Sequence, residues 1–280
     1  MSFKRLDPED FILSAESITA PAWSTNTQVL GGGNMFLSNA QINSDQGVYY
    51  YSVYHVDPQT NADAAVQFDI AFGDKQGRGS LVYNSSTPGY SPTGTIYGQF
   101  HNLIIGDEEQ EITYQGIPQG YFYAITIDRN RYKEKLLPGT FNLKLDGISL
   151  TDNSKDLTSL QFNEAGRVFQ IVSGSDGAAV SAAAIAPNAV ANGMTSAGSY
   201  GLFLLDIGTI LLNGAALDLS TAQGGIALGT GLGTTNQTNP NKLYASLVAG
   251  SQFTLNSEET ITSDFVFIRA RNGEFNYVRS

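Results

Sequence analysis

Tyr121–Leu145 reads YFYAITIDRNRYKEKLLPGTFNLKL: an apolar aromatic and β-branched run, a cationic burst, a Pro-Gly turn and a second apolar run. Such residues fit a pleated, half-buried surface, so Tyr121–Ile127 and Phe141–Leu145 are expected to be strands. Pro138-Gly139 supplies the turn before the second. In the burst Arg129, Arg131, Lys133 and Lys135 alternate, with Glu134 between the last two. They are four of fifteen Lys and Arg residues in a chain of net charge −11, and cations this close repel one another unless carboxylates compensate. Each alone is readable as part of a solvated strand end. As a group they are expected to pair with an acidic loop of the chain or with a neighbouring subunit.

Outward from this stretch the pattern is mostly period two. Val66, Phe68, Ile70 and Phe72 alternate with Gln67, Asp69 and Ala71, which places the large apolar side chains on one strand face and leaves the other to polar surroundings. Gly73–Gly79 reads as the polar loop that ends it. Further strands are expected at Met35–Ile42, Val48–Val56, Ile112–Tyr114, Leu160–Phe162, Val168–Val172, Leu202–Leu205, Ile210–Leu212, Phe253–Leu255 and Phe265–Ala270. Thr95–Ile105 is the helix candidate: Ile96, Phe100, Leu103 and Ile104 share a face, Thr95 serves as N-cap and Gly106 as stop. The fold class is therefore mainly β, a β-sandwich-like body with one short amphipathic helix, long loops at Ser175–Gly198 and Gly224–Asn241, and an extended N-terminal arm. Residues 1–47, with Pro8, Pro21 and Gly31–Gly33, form the arm, and 48–280 the body.

The chain has 280 residues, 41% of them hydrophobic, 15% charged and 30 glycine, a globular composition long enough for a large core. An excess of acid opposes general nucleic-acid binding, which needs a positive surface. With no cysteine there are no disulfides, thiolate chemistry or Cys-type zinc sites. MSFKRLDPEDF carries acids where a signal peptide needs an apolar run, and Tyr200–Leu212 is too short to span a bilayer and reads as one or two buried strands. His55 and His101, the two histidines, lie in no nucleophile motif. Asp107, Glu108 and Glu109 lack the glycine-spaced ligands of a calcium loop, and Gly229, Gly231 and Gly233 lack the lysine and strand-to-helix context of a phosphate cradle. No catalytic residue, cofactor or metal site is expected.

Four segments then stand together: IYGQFHNLIIGDEE from Ile96, YFYAITIDRNRYKEKLLPG from Tyr121, VFQIVSGS from Val168 and SEETITSDFVFIRARNGEFNY from Ser257. Over residues 96–277 this ordered series resembles virion structural proteins of T4-like phages, especially those of marine cyanophages. Those relatives continue after the FNY element with further strand sequence, whereas this chain ends at Val278-Arg279-Ser280. The resemblance implies a non-enzymatic component of the particle, in the tail or baseplate. Its implied partners are other virion proteins and copies of itself, not nucleic acid or membrane, and it would reside in the host cytoplasm during assembly and then in the virion. An arm and loops that bury surface between subunits account for the apolar residues Phe3, Phe11, Ile12, Ile18 and Trp23, which a free monomer would leave wet. With Arg129, Arg131, Lys133 and Lys135 these are the candidate assembly contacts. A capsid decoration or neck protein is the alternative station. A glycan-binding receptor module is another, with Trp23 and Tyr49–Tyr51 as stacking faces.

Overall fold

The computed structural model describes residues 11–43, 47–106, 110–180, 199–233 and 237–266. In chain order the strands are β1 (Phe11–Pro21), β2 (Val29–Leu30), β3 (Phe36–Asn43), β4 (Gly47–Tyr54), β5 (Val66–Asp74), β6 (Thr113–Tyr114), β7 (Ile117–Pro118), β8 (Tyr121–Ile127) and β9 (Lys135–Leu136). They continue with β10 (Asn142–Leu145), β11 (Ile148–Asp152), β12 (Gln161–Asn163), β13 (Gly166–Ser175), β14 (Ala178–Ala179), β15 (Gly201–Leu204), β16 (Thr209–Asn213), β17 (Gln252–Thr254) and β18 (Asn256–Val266). The α-helices are α1 (Pro92–Ile104), α2 (Gly214–Asp218) and α3 (Asn239–Gly250). The body is mainly β, as the alternation predicts, and two further helical segments accompany the expected one.

The body is one 13-stranded antiparallel sheet in the order β2-β17-β10-β11-β13-β15-β16-β8-β5-β4-β3, with β12 and β14 pairing β13. It is strongly curled. β17 and β5 are seven steps apart in that order, about 34 Å at the usual strand spacing, yet the rings of Phe253 and Phe68 lie 5.5 Å apart. Trp23 sits against both, 4.8 Å from Phe253 and 6.2 Å from Phe68, and its indole Nε1 donates to the Phe253 carbonyl at 2.8 Å. Phe141 extends the cluster, stacked on Phe203 at 5.2 Å and edge-on to Phe253. Leu217 of α2 and Leu243 and Leu247 of α3 fill the same core.

Trp23 is 2% exposed, which corrects its assignment to a wet arm. Its large apolar area and single N–H donor are both satisfied inside the body. Leu30 and Met35 are buried in the same core, so the 1–47 segment joins the body before its expected boundary. Phe11–Pro21 is likewise extended strand, not irregular chain. Phe3 and Phe267–Ala270 lie outside the described residues, as do Asp107–Glu109 and 181–198 of the Ser175–Gly198 loop.

A second core forms on the other face of the sheet, where α1 lays Ile96, Tyr97, Phe100 and Ile104 over Ala71, Phe122, Ala124 and Leu211. The second face of β5 is therefore covered rather than open to polar surroundings. The helix starts earlier than expected: Ser91 is the N-cap, accepting from the Gly94 N–H at 3.2 Å, and Pro92 occupies the first turn. The earlier start matches a buried face of Tyr97 and His101, leaving Leu103 41% exposed. Strand β5 also runs on through Gly73 and Asp74. The buried Asp74 carboxylate is held by Arg78 through Nε at 3.0 Å and Nη2 at 2.9 Å, and by the Gln76 and Arg78 N–H groups, so the charge is paired where a loop was expected. Helix α3 begins inside the expected Gly224–Asn241 loop. It packs so tightly that a Cβ at Gly250 would stand 1.8 Å from the Lys144 carbonyl oxygen.

Trp23→Ala should destabilise the protein by about 3–5 kcal/mol, the range for emptying a buried aromatic site. Equilibrium denaturation measures this. A change near zero would return Trp23 to a peripheral arm.

Candidate assembly ribbon and its charged root

β1 and β18 pair antiparallel through eleven successive residues, from Phe11↔Val266 to Pro21↔Asn256, without a bulge. At about 3.3 Å per residue the ribbon is about 36 Å long. Both strands leave the body at the aromatic cluster: Trp23 follows β1 by two residues, Phe253 precedes β18 by three, and the Ala22 N–H donates to the Leu255 carbonyl at 3.0 Å. Among the described residues, strand pairing on the outer side of β18 is confined to Ser257 and Glu258, opposite Leu136 and Lys135 of β9. Among the described residues the outer edge of β1 has no strand partner.

From Ala15 to Pro21 every residue is exposed, and from Thr260 to Val266 all but Ser263 are. Register sorts the two faces. Glu16 lies opposite Ile261, and Ile18 opposite Glu259, with Phe265 further along the same face. Ile18 is 49%, Ile261 37% and Phe265 48% exposed. The other face is hydroxyl-rich, with Ser17, Thr19, Thr260 and Thr262. Across both strands there are four carboxylates, Glu16, Glu258, Glu259 and Asp264, and no cation. A two-stranded ribbon is marginal alone in water, and a long edge with one charge and a basal proline is an open template for pairing.

The cationic burst lies at the root of this ribbon, and its members have different partners. Lys135 pairs with Glu258 at 3.3 Å, both side chains more than four-fifths buried. Its carboxylate partner thus belongs to the ribbon of its own chain. Arg129 donates to the Tyr132 carbonyl at 2.7 Å and lies over the Tyr132 ring, 4.5 Å from its centroid. Arg131 donates from Nη1 to Ser24 Oγ, while its buried Nε has no hydrogen-bond partner. Lys133 is exposed. A cleft of about 300 Å³ lies here, walled by Ala20, Pro21 and Ser257 of the ribbon and by Asn130, Arg131 and Lys133.

Glu134 caps the root by accepting from the Thr260 N–H at 2.9 Å. That bond, with the nearby Lys135 and Arg167, outweighs desolvation and holds its carboxyl below the ordinary value. Behind it Asp206 receives Arg167 Nη2 at 2.7 Å and the Arg167 N–H at 2.8 Å. Burial alone would raise the Asp206 pKa, but the Arg167 hydrogen bonds and charge, with Lys135, bring it below its ordinary value. The root is a small charge network that ties the ribbon to β9 and sets Arg167 and Asp206 behind it.

Of the candidate contacts, Ile18 is on the ribbon, Trp23 beneath it, and Arg129, Arg131, Lys133 and Lys135 at its root. Phe11 and Ile12 sit in register opposite Val266 and Phe265. Sequence reading missed Glu258 as the partner of Lys135, because it lies far from the burst in the chain and only strand pairing joins them. Tyr49–Tyr51 do not form one stacking platform: alternation sends neighbours to opposite faces, Tyr51 is buried and Tyr50 packs beside α1. Trp23 offers no sugar-stacking face either. The Gly229–Gly233 stretch is occupied by protein, since Asn239 bonds both backbone groups of Gly231 at 2.8 Å and Asp218 Oδ1 accepts from the Thr230 N–H at 2.8 Å. Among the described residues no group of His, Asp or Glu is arranged to hold a metal ion, and no helix is long and apolar enough to cross a membrane.

Glu134 and Asp206 have depressed folded values, so the stability they supply is present above their ordinary values of 4.5 and 3.8 and is lost as pH falls through the folded ones. Glu134→Gln/Asp206→Asn should therefore weaken the protein at neutral pH, with the gap to the parent narrowing as acidification protonates the two carboxylates. Denaturant titrations across that range measure it, and a gap independent of pH would contradict the charge assignment. The chain matches no protein-family model, no curated protein and no solved structure.

Proposed function

We propose that this chain is a non-enzymatic structural component of a tailed-phage particle, in its tail or baseplate, which joins subunits through the β1–β18 ribbon. The observation that carries this reading is the exposure of the ribbon on both faces, with Ile18, Ile261, Phe265 and Val266 each more than a third accessible. Exposed apolar side chains in one narrow, projecting element mark a surface to be covered in an assembly. The free edge of β1 adds backbone donors and acceptors suited to strand addition by a partner. The resemblance to virion structural proteins supports the same reading, because SEETITSDFV from Ser257 is the ribbon strand β18 itself. Its partners are copies of itself and other virion proteins, and its site of action is the particle. A head station, as decoration or neck protein, uses the same ribbon, and assaying purified heads against tails separates it from a tail station.

Replacing Ile18, Ile261 and Phe265 together with threonine removes the apolar stripe while keeping strand propensity. Thermal unfolding of the body should be unchanged, and self-association in sedimentation velocity and incorporation into particles should be lost. Normal sedimentation and incorporation would overturn the assembly reading.

A further inference from the structure

We infer that the cleft at the root of the ribbon receives the ribbon of a second copy, which sets Glu16 and Glu259 against Arg131 and Lys133 and links the chains head to tail. This rests on the ribbon being the assembly element, and adds which surface of the neighbour it meets.

Charge decides between the possible seats. The ribbon carries four carboxylates and no cation, and Lys135 answers only Glu258. Two ribbons laid against each other would bring carboxylates together without compensation, at a cost in specificity and affinity. The cleft has the opposite sign. Its lining includes Arg131, Lys133 and Asn130, while Lys135, paired with Glu258, and Arg129, bonded to the Tyr132 carbonyl, stand outside it. Arg131, held through Nη1 on Ser24 Oγ, keeps its positive charge in the cleft wall, where a neighbour's carboxylate is compensated.

Shape agrees with charge. Glu16 and Glu259 share the ribbon face that also bears Ile18 and Ile261, each glutamate directly opposite an isoleucine on the other strand. A ribbon docked by this face delivers two carboxylates and two apolar side chains together, to a cleft with cations on one wall and Ala20 and Pro21 on the other. Ribbon and cleft are different surfaces of one chain, so the contact is heterologous and repeats, closing into a ring or extending as a filament.

Lys133→Glu, Arg131→Glu/Lys133→Glu, Glu16→Lys/Glu259→Lys and the fourfold exchange that combines the two double variants test this in the full chain. Circular dichroism melts report whether each folds, and the single Lys133 variant changes an exposed side chain only. In sedimentation equilibrium at low salt, Lys133→Glu and each double variant should self-associate about tenfold or more weakly. The fourfold exchange should restore association toward the parent level. Parent-like association by Lys133→Glu, or a fourfold variant no better than the doubles, would overturn the head-to-tail contact. If the threonine variant of the ribbon still loses association, that outcome leaves ribbon-driven assembly standing with a different receptor. If the threonine variant also associates normally, the assembly reading falls as well.

Discussion

One buried indole holds the two ends of a long sheet together. Trp23 touches Phe68 near one end of the strand order and Phe253 near the other, and donates its N–H to the Phe253 backbone. Phe68 and Phe253 also meet directly, 5.5 Å apart, so the indole seals a junction at which the two ends of the 13-stranded sheet come together. With it the sheet curls over Phe141, Phe203, α2 and α3. The same contact fixes the ribbon, because Trp23 and Phe253 lie just inside the points where β1 and β18 leave the body. Core packing and the root of the ribbon thus share the same two residues. A change that loosens the indole releases the root as well.

Electrostatics at the root then assigns work among the cations. Lys135 compensates Glu258 where both are largely withdrawn from water, which fixes the ribbon to β9. Arg167 and Asp206 brace the turn behind it, and Glu134 takes the first β18 amide beyond the β9 pairing that is free to bond sideways. Arg131 and Lys133 are left facing the cleft. A burst that looks uniform in sequence is divided by structure into anchoring charges and outward-facing ones.

How much of this was legible in the sequence depended on whether burial had left its mark. Tyr121–Ile127 is β8 to the residue, because both its faces are covered and every position is apolar or threonine. Tyr200–Leu212 likewise holds the β15–β16 hairpin. By contrast β1 and β18 are exposed on both faces, so their composition carries no core-facing alternation, and pairing over more than two hundred residues of chain is invisible locally. Helix α3 was not expected: Asn239–Asn241 fall in the glycine-, threonine- and asparagine-rich loop and no element was assigned to the residues after it, although Leu243 and Leu247 reach the core. Trp23 was misplaced because its neighbours are prolines, serines and threonines, and only the curl of the sheet brings Phe253 to it. The cations were legible as a group in need of carboxylates; which carboxylates was not, since that is a fact of register.

In the proposed role the β1–β18 ribbon is an exposed element of the free chain that assembly covers. Hydrogen–deuterium exchange on the full chain, read at low and high protein concentration, tests it most directly. Exchange should be fast at Phe11–Ala20 in dilute protein against slow exchange in β5, β8 and β16, with slowing confined to the ribbon and to residues 130–133 as concentration rises. A ribbon as protected as the body in dilute solution, or one whose exchange does not respond to concentration, would contradict it.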